Sequence, residues 1–109
     1  MNKIGYVYFK NLFAGTIIRN DDGYVFRYDD EYFLNKSNKP ISLLLPLSEQ
    51  EYKSNILFPF FDGLIPEGWL LEVAIKKYKL DYKDRFELLL ETCEDSIGAV
   101  SIRKEKVNG

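Results

Sequence analysis

Apolar and polar positions alternate along the first part of the chain, and the alternation predicts strands. Ile4, Tyr6 and Tyr8 interleave with Gly5, Val7 and Phe9, a strand over 4–10 with both faces occupied and Asn11 as its punctuation. Phe13 to Arg19 predicts a second strand, and Asn20-Asp21-Asp22-Gly23 predicts the hairpin that turns it back. In the third strand Tyr24, Phe26 and Tyr28 share one face while Val25 and Arg27 share the other. Asp29 or Asp30 then caps a short helical turn through Tyr32, Phe33 and Leu34, so the acids at 29–31 serve a helix start and not a metal ion. Residues 36–40 are a loop, and Ile41 to Leu45 predicts a short apolar strand closed by Pro46. Residues 48–57 are mixed and specify no element.

The period changes after Phe58-Pro59-Phe60-Phe61, an aromatic run that leads into an Asp62-Gly63 turn. Pro66 is placed as the first residue of a helix, where its missing N–H costs nothing, and Glu67 is favoured in the first turn by the helix dipole. At 3.6 residues per turn, Leu70, Leu71, Ala74, Ile75 and Tyr78 gather on one broad face of a helix over 66–79. Trp69 and Val73 fall opposite, among Glu72, Lys76 and Lys77. An indole in that position is either covered by a neighbouring loop or held for a partner. A second helix begins at Asp84, with Glu87 three residues on in the manner of a capping box. Its buried stripe is Phe86, Leu89, Leu90 and Cys93, and Ile97 to Ile102 predicts a closing strand. The fold expected is α+β: a small twisted antiparallel sheet with two main helices packed on one side, in a single domain over residues 1–109 with a charged, frayed tail at 103–109.

Composition narrows the function. The chain of 109 residues carries 15 basic and 17 acidic side chains, a net charge of −2, which supplies no field for general nucleic-acid binding. With no signal-like leader, no apolar run long enough for a bilayer and a single Cys, the expected location is the cytoplasm. There is no His, so Ser-His and Cys-His nucleophile pairs and the commonest metal ligand are missing together. Neither a P-loop nor a G-x-G-x-x-G cradle for phosphates is present. The residues thus offer no catalytic site, no cofactor site and no metal site.

Four segments in order carry a resemblance: Pro46-Leu47; Phe60-Phe61-Asp62-Gly63-Leu64-Ile65-Pro66-Glu67-Gly68; Asp84-Arg85-Phe86-Glu87-Leu88-Leu89; and Asp95-Ser96-Ile97-Gly98-Ala99-Val100. From Ile4 to about Ile102 the chain resembles the N-terminal subdomain of the HipA toxin kinases, serine/threonine kinases of toxin–antitoxin systems. In that family the ATP site and catalytic loop lie downstream of the Gly-Ala-Val strand, and this sequence stops soon after it. The resemblance therefore implies a non-catalytic module like the HipS antitoxin of split HipB–HipS–HipT systems. Such a module binds and neutralises a separately encoded HipA- or HipT-like kinase, or else completes and activates it. DNA binding would fall to a helix-turn-helix HipB-like partner. It also implies the binding surface: the turn formed by Phe61, Asp62, Gly63, Leu64, Ile65, Pro66, Glu67 and Gly68, with Trp69 as anchor and Val73 beside it. The aromatic residue at Trp69 departs from the family pattern, in which a charged or small residue is common.

Overall fold

The computed structural model describes residues 3–66, 72, 76–77, 84–94 and 99–106. Strands β1 (Lys3–Phe9), β2 (Leu12–Asn20) and β3 (Gly23–Tyr28) form a meander joined by two tight turns. In the first, Lys10 and Asn11 both have positive φ, 50° and 67°, the conformation that matches the twist of a two-residue hairpin. In the second, Asn20 pairs with Gly23, and the Asn20 side-chain oxygen accepts from the Asp22 amide at 2.9 Å. Gly23 has φ 136°, and a Cβ there would lie 2.4 Å from the Ser54 carbonyl, so only glycine fits.

Helix α1 (Asp30–Leu34) follows β3 with Asp29 at its N-cap position. The Asp29 side chain makes no capping bond; its carbonyl accepts from Phe33 instead. Strand β4 (Glu51–Ser54), one-turn helix α2 (Pro59–Asp62), helix α3 (Arg85–Thr92) and strand β5 (Val100–Arg103) complete the described elements. The sheet order is β4-β3-β2-β1-β5, antiparallel throughout, and the α+β class is as expected.

Three expectations change. The strand anticipated at 41–45 is a loop, because Pro40 and Pro46 bracket it and its polar backbone groups bond to Tyr28 instead of to a neighbouring strand. The fifth strand is supplied by Glu51–Ser54, which pairs along β3 from Tyr24↔Ser54 to Arg27↔Glu51. Arg103 belongs to β5 and not to a tail, and Lys104 reaches Glu91 at 2.7 Å. Of the helix expected over 66–79, Glu72, Lys76 and Lys77 are helical and exposed, whereas Pro66 is not helical. Its remaining residues lie outside those described.

One face of the sheet carries Val7, Ala14, Ile17, Phe26 and Tyr28 into the core. Helix α3 lies on it, and Asp84 caps the helix by accepting from the Glu87 amide at 3.1 Å. The helix buries Leu88 as well as the expected stripe of Phe86, Leu89, Leu90 and Cys93. It is covered on more than one side: Leu90 packs over Gly5, while the Cys93 thiol donates to the Leu64 carbonyl at 3.3 Å. Burial pushes that thiol up from its ordinary pKa, which suits a core residue. Ile102 donates its amide to the Cys93 carbonyl, so the end of α3 also occupies the outer edge of β5.

Candidate partner-binding surface

Pro59 opens α2, where its fixed φ favours the helical start and its lack of an N–H costs nothing. The next turn drives Phe61 inward, fully buried against Phe26 at 5.5 Å, Phe58 at 6.1 Å and Phe60 at 5.2 Å between ring centroids. Gly63 stays in the right-handed region at φ −68°, so at the expected Asp62-Gly63 turn Asp62 ends α2 and Gly63 caps it. Leu64 and Ile65 then donate to the carbonyls of Phe61 and Asp62, which unwinds the chain in three-residue steps. Ile65 is buried and Leu64 packs against the core.

The stretch therefore divides by exposure. Phe61 and Ile65 support the surface from below and cannot touch a partner directly. Asp62 remains half-exposed and accepts from Arg85 Nε at 2.7 Å. Gly63 is exposed and Pro66 partly so. Glu67, Gly68, Trp69 and Val73 lie outside the described residues.

Beside Asp62 runs a second ion pair, Arg19 to Asp84 at 2.7 Å. The Arg19 guanidinium also stacks 5.3 Å over the Phe86 ring, against which Tyr24 packs from another side. Burial acts to raise the Asp84 carboxyl, but the Glu87 amide, Arg19 and Lys3 together outweigh it and hold it below the ordinary value. Between the two ion pairs lies an open depression of about 740 Å³, also bordered by Asn55, Ile56, Leu57 and Pro59. It offers paired charges on an apolar floor and brings together no nucleophile–base couple.

The sequence reading missed a further surface feature. Leu43 is 92% exposed and Leu44 69% exposed, at the tip of the loop that replaces the expected fourth strand. The bracketing Pro40 and Pro46 were the available signal.

The model of the HipA N-terminal domain matches residues 5–103. The chain belongs to the HipA N-terminal domain family. A solved structure described as the N-terminal domain of HipA toxin superimposes with a TM-score of 0.72 at 29% identity, covering 97% of this chain and 95% of that one. An uncharacterized protein of Haemophilus influenzae is 34% identical over 102 residues, 94% of this chain and 92% of that protein. That relative is thus itself a chain of about this length. Among the described residues of this HipA N-terminal domain, no helix is long and apolar enough to cross a membrane.

Proposed function

We propose that this chain is a non-catalytic antitoxin or regulatory subunit that binds a separately encoded HipA-like serine/threonine kinase in the cytoplasm and neutralises it. The observation that carries the reading is the HipA N-terminal domain match over residues 5–103, beside a relative of about the same length that is matched over 92% of it. Phosphoryl transfer requires a phosphate-binding loop, metal-holding groups and a catalytic acid, and the sequence contains neither of the phosphate-loop patterns. Its action on a kinase would then be by contact. The contact surface in this reading is the exposed part of the 61–68 turn with Trp69 as its anchor and Val73 beside it. A HipB-like helix-turn-helix protein would supply DNA binding to a ternary complex.

Co-expression tests it. A HipA-type kinase from the same organism should arrest growth when produced alone and be silenced when this chain is produced with it. Arrest that appears only when both are present would replace neutralisation by activation in trans.

A further inference from the structure

The two edges of the sheet are finished differently. At β5 the Ile102 amide donates to the Cys93 carbonyl, so the end of α3 occupies that side. Strand β4 ends the sheet on the other side, and the phase of its hydrogen bonds leaves groups open. The Tyr28 amide donates to the Gln50 carbonyl at 2.8 Å, and the register continues through Arg27↔Glu51, Phe26↔Tyr52 and Val25↔Lys53. Bonded and non-bonded pairs alternate along an antiparallel ladder. Tyr52 therefore bonds to β3, while Glu51 and Lys53 turn their N–H and C=O groups away from it. Both residues are exposed, and among the described residues nothing takes up those outward groups.

A short strand bearing a lysine ordinarily guards an open edge against pairing. Here an acid two residues from the lysine makes one strand acceptable, and that strand is β4 itself. Outward groups must meet outward groups, which restricts how two copies can align. Within β4, one antiparallel register sets Glu51 on Glu51 and another sets Lys53 on Lys53, each a like-charge pair directly opposite. The third sets Glu51 on Lys53 and Lys53 on Glu51 at once, so charge and hydrogen bonding select the same alignment. Its two-fold axis passes through Tyr52, which becomes a non-bonded pair with its own copy, the kind that brings side chains closest. Aromatic pairs are favourable across such a step. Tyr52 is half-buried and its hydroxyl donates to the Pro46 carbonyl, so this ring is already ordered before any pairing. A net charge of −2 opposes the approach of two copies only weakly.

We propose that a second copy of this chain pairs along β4, antiparallel about Tyr52, joining two five-stranded sheets into one. The proposal stands apart from the kinase reading and survives its failure. The test is sedimentation equilibrium of the whole chain over a rising concentration series, with wild type, Glu51→Lys, Lys53→Glu and the double swap Glu51→Lys/Lys53→Glu. Each single change alters both symmetry-related pairs, so it should weaken the dimer roughly tenfold or more. The double swap restores opposite charges in the same register and should recover wild-type association. Amide exchange on the wild type gives a reading that needs no variant to fold: the Glu51 and Lys53 amides should gain protection as concentration rises, while Tyr52 is protected throughout. A wild type that stays monomeric overturns the proposal and leaves the edge to an extended segment of another protein. Equal dimerisation of all four chains, or protection that grows only outside β4, would move the contact to another face and overturn it too. Loss in both single variants without recovery in the double swap would refute the register, and the proposal with it.

Discussion

Tyr28 shows how much one side chain can organise. Its ring is fully buried between Phe26 and Tyr32, and its hydroxyl satisfies two backbone groups of a loop that has no strand partner. Replacing it with Phe keeps the ring and leaves the Ile41 amide and Leu45 carbonyl without that partner. Tyr28→Phe should therefore lower stability by about 1–3 kcal/mol, read from urea unfolding. Alkali gives an independent check. Burial raises the Tyr28 phenol to about 12 from an ordinary 10.0, despite the opposing bond from the Ile41 amide. Because the folded value lies above the unfolded one, the stabilisation is complete below pH 10 and is lost as pH climbs from 10.0 towards 12. Wild type should lose stability across that window more steeply than Tyr28→Phe, and parallel curves would refute the assignment.

At the scale of elements, the junctions are where small changes cost most. A Cβ on Gly15 would sit 2.2 Å from the Arg27 carbonyl oxygen, a backbone atom that cannot swing aside. Gly15→Ala should force β2 and β3 apart and cost roughly 1–3 kcal/mol, measurable as a lowered melting temperature. Asp84→Ala removes the cap of α3 and leaves Arg19 without its carboxylate, for a loss of about 1–2 kcal/mol. The Asp84 carboxyl is depressed in the folded state, so its contribution holds above the ordinary value of 3.8 and fades as pH falls through and below it. The gap between wild type and variant should close in acid. These elements were legible because each declares itself locally: alternation in β1 to β3, an Asn-Asp-Asp-Gly turn, and Asp84 three residues before Glu87. Strand β4 was not, since Glu51-Tyr52-Lys53-Ser54 is a charged edge strand whose pairing with β3 sets its conformation more than its own residues do. The 41–45 run failed in the opposite sense. Its apolar residues imitate a strand, while the prolines at both ends and the Tyr28 hydroxyl make it a loop. The turn at 61–66 was legible as a specified path, but which of its side chains face inward depends on Phe26 beneath it, a long-range contact that no local pattern carries.

For the molecule as a whole, the decisive issue is whether supporting and presenting residues are separate. Phe61 has no exposure and belongs to the aromatic cluster on the sheet, so Phe61→Ala should act through the fold. The expected cost is about 3–5 kcal/mol, enough to unfold much of a small domain or shift its melt sharply. Trp69 carries the contrasting expectation from helix phase and from the family resemblance. As an anchor for the kinase, Trp69→Ala should change stability by less than about 1 kcal/mol, as at exposed sites. Its binding should weaken by roughly 2 kcal/mol or more, as at other tryptophan hot spots. Thermal melts and calorimetric titration of the kinase, run on both variants, read the two quantities separately. Phe61→Ala should move the melt first, and any loss of binding should follow the loss of folded protein. Trp69→Ala should move only the titration. Were Trp69→Ala to lower the melt as far as Phe61→Ala does, Trp69 would be a core residue. The anchor of the proposed interface would then have to be sought elsewhere.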